Sequence, residues 1–484
     1  MKIAGPLDRL IRGLGIGAFL LFSVSAEAAE RTLSPARSPT FGCLQQHWGN
    51  VSCGQVYLGS EGFQARALVG QSTPPEPSVK LELVGCTRQT QGWECEQPPV
   101  LRFIGVAEQS EEPIVGLYVE IDGMPADCAG STCDVPLEPT PEEGSEVVFS
   151  LVTKSNESSE PQFALVRVVE APQEAGEEPV WQVEILSSRI DDDWIDRCGL
   201  AWFALPTLDR PDWLTIPDEA DDLRTSESYV YLEQRLAGLG PAFRGSASAG
   251  GTLAAAQNVN LTTPQSLIEI WQNQFDTAIL EAASARGLPG RLVKSLFAAE
   301  SQFWPGSFPE MEEVGLGQLS EPGADSLLLW SPPFYAEFCP QVLDAELCRQ
   351  GYWRLATEHK AMLRGALLRL VNADCPDCAY GLDLPKAERS VPVFAEGLVA
   401  SCSQTAQGVY NATGNTPGFL STYEDLWRFT LANYNVGPGC LSTALTDTWQ
   451  QRQPLDWSHV AANLPGGCRR AIAYVSRVLG EPAE

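Results

Sequence analysis

Histidine is nearly absent, with His47, His359 and His459 the only three in 484 residues. So small a supply argues against His-rich metal centres and leaves few partners for a Ser-His or Cys-His nucleophile. Basic residues are scarce too, 32 against 62 acids, for a formal net charge of −30. Nucleic acids and anionic membrane surfaces are both held by basic surface, so neither is expected as a partner. Long apolar runs are also missing. The run over residues 14–24 falls short of the roughly 20 residues that span a bilayer, and no later segment approaches that length. What remains is globular material, 44% hydrophobic and 19% charged, long enough for about three domains.

The apolar run follows Lys2, Arg9 and Arg12 and precedes Ala26-Glu27-Ala28, small residues suited to cleavage. Residues 1–28 are therefore read as a secretory signal, with an uncleaved anchor as the alternative. After cleavage no integral membrane segment is expected. Export sets how the fourteen cysteines are read, since an even number in an oxidising compartment suggests up to seven disulfides. Seven precede residue 200 and seven follow it, so complete pairing needs a bridge between the halves, and Cys198 near the boundary is the choice for it. The spacing Cys375-Pro376-Asp377-Cys378 also suits zinc or a redox dithiol. No second such pair exists to complete a tetrahedral site, which favours a structural disulfide and no metal.

Residues 40–190 show period-two patterning, as where Val79, Leu81 and Leu83 alternate with Lys80 and Glu82. Strands are also predicted over 114–121, 147–152, 163–169 and 180–186, separated by turn-rich stretches. With the close cysteine pairs 43/53, 86/95 and 128/133, this reads as a disulfide-rich β module of one or two small sandwiches. It carries no catalytic constellation and its ligand is unknown. A binding or spacer role and stabilisation of the other half stand side by side. Residues 191–260 form a transition ending in a flexible linker over 246–252. Beyond it the period becomes helical, so the chain is read as α+β, a sandwich-like module followed by a mostly α-helical domain over 261–484.

Thr263 before Pro264 reads as an N-cap with proline at the first helical position. Leu267, Trp271, Phe275 and Ile279 then recur every four residues, predicting one helix that stops near Gly287-Leu288-Pro289. A second helix is expected over 290–303, with Leu292, Leu296 and Glu300 on one face. A carboxylate ending an apolar stripe is desolvated and held protonated, as a general acid requires. A buried glutamate paired with arginine or capped by amides is the structural alternative.

Glu300-Ser301 is followed by Gly315-Leu316-Gly317-Gln318, then by Asn433-Tyr434-Asn435-Val436-Gly437-Pro438 and, near the end, Tyr474-Val475. This order resembles the soluble lytic transglycosylase (SLT) family, whose motifs run Glu-Ser, Gly-Leu-Met-Gln, Ala-Tyr-Asn-x-Gly-Pro and a closing Tyr-Val helix. The resemblance covers about 263–480 and implies a lysozyme-like fold that cleaves peptidoglycan glycan strands. It implies Glu300 as sole catalytic acid/base, with no cofactor. Ser301, Gln318, Tyr434, Asn435 and Tyr474 would bind substrate, Gln318 by donating an amide hydrogen bond to an N-acetyl sugar. Gly317 departs from the family's methionine and Asn433 from its alanine. The 116-residue step from Gln318 to Tyr434 implies a Cys-containing insertion at about 325–420, either a lid or a decoration.

Ordinary glycosidases need two carboxylates. Glu310, Glu312 and Glu313 are the available partners, and a run of loop acids is more simply a solvated face. A single-acid mechanism yielding 1,6-anhydromuramyl ends dispenses with them. A goose-type-lysozyme-like hydrolase and a catalytically inactive glycan-binding wall protein are the alternatives. Either enzyme implies a secreted or cell-envelope protein.

Overall fold

A computed structural model describes residues 78–481, apart from 90–91, 107–112, 127, 156–157, 172–178, 191–194, 228, 239–263 and 309–311. The signal segment, Cys43, Cys53, Thr263, Glu310 and the 246–252 linker therefore lie outside the described residues. An antiparallel β region comes first, and a mostly helical half follows it.

The β region contains β1 (Ser78–Arg88), β2 (Trp93–Val106), β3 (Ile114–Ile121), β4 (Met124–Ala126), β5 (Thr132–Pro136), β6 (Ser145–Thr153), β7 (Gln162–Ala171) and β8 (Val180–Leu186). All eight join one sheet, in the order β1-β2-β8-β7-β6-β3-β4, with β5 added on β2. In a flat sheet β2 and β6 would stand about 14 Å apart, three strand spacings. Yet Phe103 of β2 and Phe149 of β6 meet edge to face with centroids 5.4 Å apart. The sheet therefore curls over its own core, which also buries Val79, Leu81, Val119 and Val168. Pro98 and Pro99 fall where the β1–β2 register shifts between Val84 and Cys86. There β2 exchanges partners, pairing β8 before the prolines and β5 after them, and a bulge tolerates residues that lack an amide donor.

The helical half contains α1 (Arg197–Trp202), α2 (Val230–Gly238), α3 (Pro264–Asn273), α4 (Asp276–Ser284), α5 (Gly290–Ser301), α6 (Glu321–Trp330) and α7 (Pro332–Phe338). It continues with α8 (Ala345–Cys348), α9 (Thr357–Val371), α10 (Leu384–Thr413), α11 (Tyr423–Val436), α12 (Pro438–Gln450), α13 (Trp457–Ala462) and α14 (Arg470–Leu479). The single helix predicted after residue 263 is two, α3 and α4. Asn273 and Asp276 both turn to the buried Lys294 ammonium, at 2.6 and 2.7 Å, and the helix breaks between them. The segment expected as an insertion supplies the 30-residue α10, which packs against α1, α4, α6, α11 and α12. It is thus the central helix of this half, neither lid nor decoration.

Cys198 pairs with Cys402 of α10, beside an Arg197–Glu396–Arg286 cluster that Ser331 completes. Burial alone pushes the Glu396 carboxyl up, but Arg197, Ser331 and Arg286 outweigh it and hold it below the usual range. Disulfides 86–95, 128–133, 339–348, 375–378 and 440–468 complete six, and no described cysteine is free. Arg167, 1% exposed, joins the sheet to the transition segment by pairing with Glu184 and donating to the Pro206 carbonyl at 2.6 Å. Among the described residues no helix is long and apolar enough to cross a membrane.

Candidate functional site

Helix α5 buries Leu292, Val293, Leu296 and Phe297 and ends one residue after Glu300. Gln302 and Phe303 both take positive φ, 48° and 62°, so the chain turns away sharply just past the acid. Glu300 is partly buried. Desolvation pushes its carboxyl up to about 7, and the charge of Glu313 adds to the rise. A hydrogen bond from the Tyr474 hydroxyl and the charge of Arg477 pull the other way and are outweighed.

The loop carrying Gly315 to Gln318 is closed by mutual backbone bonds between Val314 and Leu319, at 3.1 and 2.9 Å. Gly315 has φ +79°, and a Cβ there would lie 2.6 Å from Phe394 Cζ and 2.8 Å from the Val371 carbonyl. At Gly317 a Cβ would lie 2.5 Å from Phe394 Cδ1 and 3.0 Å from the Tyr434 hydroxyl. Phe394 of α10 thus fills the space that a side chain at Gly317 would need. Tyr434 donates its hydroxyl to the Gly317 carbonyl at 2.7 Å. Burial, with Glu300 and Glu313 nearby, holds the Tyr434 phenol well above its ordinary range, as burial and Glu300 do for Tyr474.

The remaining expected site residues sit differently. Ser301 is 1% exposed and its hydroxyl is committed to the Phe297 carbonyl of its own helix at 3.2 Å. Gln318 is buried, and its Nε2 donates to the Gly315 carbonyl at 2.6 Å, which leaves Oε1 as the atom without a partner. Oε1 is open to a donor, and the second Nε2 hydrogen remains for an acceptor. The Asn435 Oδ1 is likewise buried and unpartnered. Asn433 is buried and donates to Gln404 Oε1 of α10 at 2.9 Å, a contact between α11 and α10.

Glu313 is the residue that sequence reasoning misplaced. Short strands β9 (Ser307–Phe308) and β10 (Glu313–Val314) pair so that Glu313 stands opposite Phe308. Asp374 accepts the Ser307 amide at 3.2 Å, and Phe308 stacks on Tyr231 of α2 with centroids 4.9 Å apart. The hairpin is therefore held from both sides. Glu312 is exposed, whereas Glu313 is partly buried, and desolvation raises its carboxyl against the opposing charge of Arg470.

A second carboxyl, two tyrosines and a tight glycine loop thus converge around Glu300. Among the described residues no His, Cys, Asp and Glu side chains cluster as a metal site would. Comparison of the chain with protein-family models, with curated proteins and with solved structures found no match to any of them.

Proposed function

We propose that the helical half is a lysozyme-like domain that cleaves peptidoglycan glycan strands as a lytic transglycosylase, with Glu300 as its acid/base. The observation that carries this reading is the Glu300 carboxyl, pushed up to about 7 at the end of an apolar helix and held by Tyr474. A carboxyl that titrates near neutrality is suited to give a proton and take one back. Glu300 protonates the oxygen linking N-acetylmuramic acid to N-acetylglucosamine, and the bond to the muramyl anomeric carbon breaks. The substrate's own acetamido group stabilises the developing cation. Glu300, now a carboxylate, removes the proton of the muramyl C6 hydroxyl, whose oxygen closes a 1,6-anhydro ring. Gln318 offers its amide oxygen to an acetamido N–H, and Tyr434 holds the loop that carries it. Six disulfides fit an oxidising compartment, and the protein is assigned to the secreted or cell-envelope fraction.

Glu313 favours a second reading, a goose-type-lysozyme-like hydrolase, because a second carboxylate beside the acid can direct water to the anomeric carbon. Mass analysis of muropeptides released from purified sacculi tests both. Anhydromuramyl ends support the transglycosylase and reducing ends the hydrolase. Release of neither, or equal release by Glu300→Gln, would rule out the assignment.

A further inference from the structure

Helix α14 carries Arg470, Tyr474 and Arg477 at positions i, i+4 and i+7, hence on one face. The middle member is buried with its hydroxyl on Glu300, so the row is pinned at the acid and an arginine stands on either side. Both arginines are exposed. Arg470 reaches the Asn435 carbonyl at 3.5 Å and its charge acts on Glu313, while that of Arg477 acts on Glu300 and Tyr474. Neither forms an ion pair among the described residues, whereas Arg428 pairs with Glu481, just past the same helix, at 2.7 Å.

Helix stability does not account for Arg470. It opens α14, where no acid stands in the first turn and no side chain caps the end, and a cation there opposes the helix dipole. Its neighbour Arg469 is turned back onto the Ala462 and Leu464 carbonyls, at 3.2 and 3.4 Å, but Arg470 is not. With a net charge of −30, the chain repels an anionic ligand over most of its surface. Two exposed guanidinium groups beside the acid, neither in an ion pair among the described residues, are a local exception.

We propose that Arg470 and Arg477 recognise carboxylates on the glycan, so that the site selects carboxylate-bearing strands over neutral ones. This rests on the glycan-cleaving reading above. A guanidinium fork matches a carboxylate with two parallel hydrogen bonds. Muramyl lactyl groups and their peptides bring carboxylates close to the scissile bond. A chitin oligosaccharide presents the same N-acetyl sugars with none.

The test is calorimetric binding to the full chain carrying Glu300→Gln, with peptide-bearing glycan chains from sacculi and a neutral chitin oligosaccharide as probes. The charged glycan is expected to bind about tenfold tighter or more, as hydrogen bonds between ions permit, and to lose that margin as salt is raised. Adding Arg470→Gln and Arg477→Gln should weaken the charged glycan about tenfold and leave the chitin oligosaccharide within about twofold. The lysine pair should restore part of the margin, which a merely structural role would not produce. Equal affinities for the two glycans, or equal losses in the glutamine pair, overturn this inference even where the unmutated chain still cuts sacculi. Failure of the unmutated chain to cut sacculi, with neither probe bound, overturns the cleavage reading and this inference with it.

Discussion

The hydroxyl of Tyr474 donates to the carboxyl of Glu300 across 174 residues of sequence. That bond ties the last helix, α14, to the end of α5. It favours the ionised carboxyl and so opposes the desolvation that keeps Glu300 protonated. Tyr474→Phe removes the opposition, and the Glu300 pKa should rise above about 7. Because the acid must be protonated to act, activity falls as pH rises through that value. In the phenylalanine variant the fall should come at higher pH, while maximal turnover drops because the carboxyl loses its orienting partner. A pH profile of kcat/KM checks this, and a limb that stays put or moves down contradicts it.

Glu300→Gln should abolish cleavage and yet stabilise the protein in alkali. The folded pKa is raised from 4.5 to about 7, so between those values the folded state keeps a proton that the unfolded state has lost. Stability from this group is therefore full below about 4.5 and declines as pH rises through about 7, by on the order of 3 kcal/mol. Asp196, raised to about 6 by burial, acts with the same sign in both proteins and cancels from their difference. Urea unfolding at pH 5 and pH 8 should show the variant gaining on the wild type with rising pH. A constant difference would mean that Glu300 does not carry this shift.

Gly317→Ala tests the close approach of Phe394. The added Cβ would sit 2.5 Å from that ring and 3.0 Å from the Tyr434 hydroxyl, so both must move. Overpacking of this kind costs about 1–3 kcal/mol and should loosen the loop that carries Gln318. Shortening the intruding ring with Phe394→Leu should recover part of the loss in the double variant. Thermal melts and turnover of the wild type and the three variants form the cycle, and additive losses would mean that the two residues do not share the space.

Much of the fold was legible from periodicity, and the gaps have physical causes. Strands β3 and β8 coincide with predicted alternating runs because each has one face on the core. Strand β2 was not among the predicted strands, and its Pro98 and Pro99 occupy a bulge where β2 exchanges partners. The division between α3 and α4 was masked because Trp271, Phe275 and Ile279 stay buried on both sides of it. Motif order led to Glu300, Tyr434 and Tyr474, but not to the inward commitment of the Ser301 hydroxyl. The role of α10 was out of reach, since the extra residues were judged against a shorter motif spacing and not by what they bury. Glu313 looked like any loop acid until the hairpin turned it toward Glu300.

Thiol chemistry gives an independent check on the cysteine framework. Twelve cysteines form six disulfides among the described residues, and Cys43 and Cys53 lie outside them. Titration of the protein in denaturant without reductant should find at most two free thiols. Cys198–Cys402 spans 204 residues, and a loop of that size places its stabilisation toward the upper part of roughly 2–5 kcal/mol. Replacing both by serine should lower the melting temperature more than replacing Cys375 and Cys378, whose loop is short. Several free thiols, or the opposite ranking, would contradict the framework.

Glu313 separates a transglycosylase from a hydrolase. Its negative charge helps keep Glu300 protonated, so Glu313→Gln should lower the Glu300 pKa and move the alkaline limb of activity down. That shift is expected in either mechanism. The products differ. Internal attack by the C6 hydroxyl needs only Glu300 to change from acid to base, so the variant should still release anhydromuramyl ends, one water lighter than hydrolysis products and inert to borohydride. Attack by water needs a second carboxylate to direct it, and the partly buried Glu313 is the side chain available for that task. A wild type that yields reducing ends, together with a glutamine variant that loses them by about a hundredfold or more, identifies Glu313 as that base. Glu300 would then remain the acid, and the enzyme would be a hydrolase.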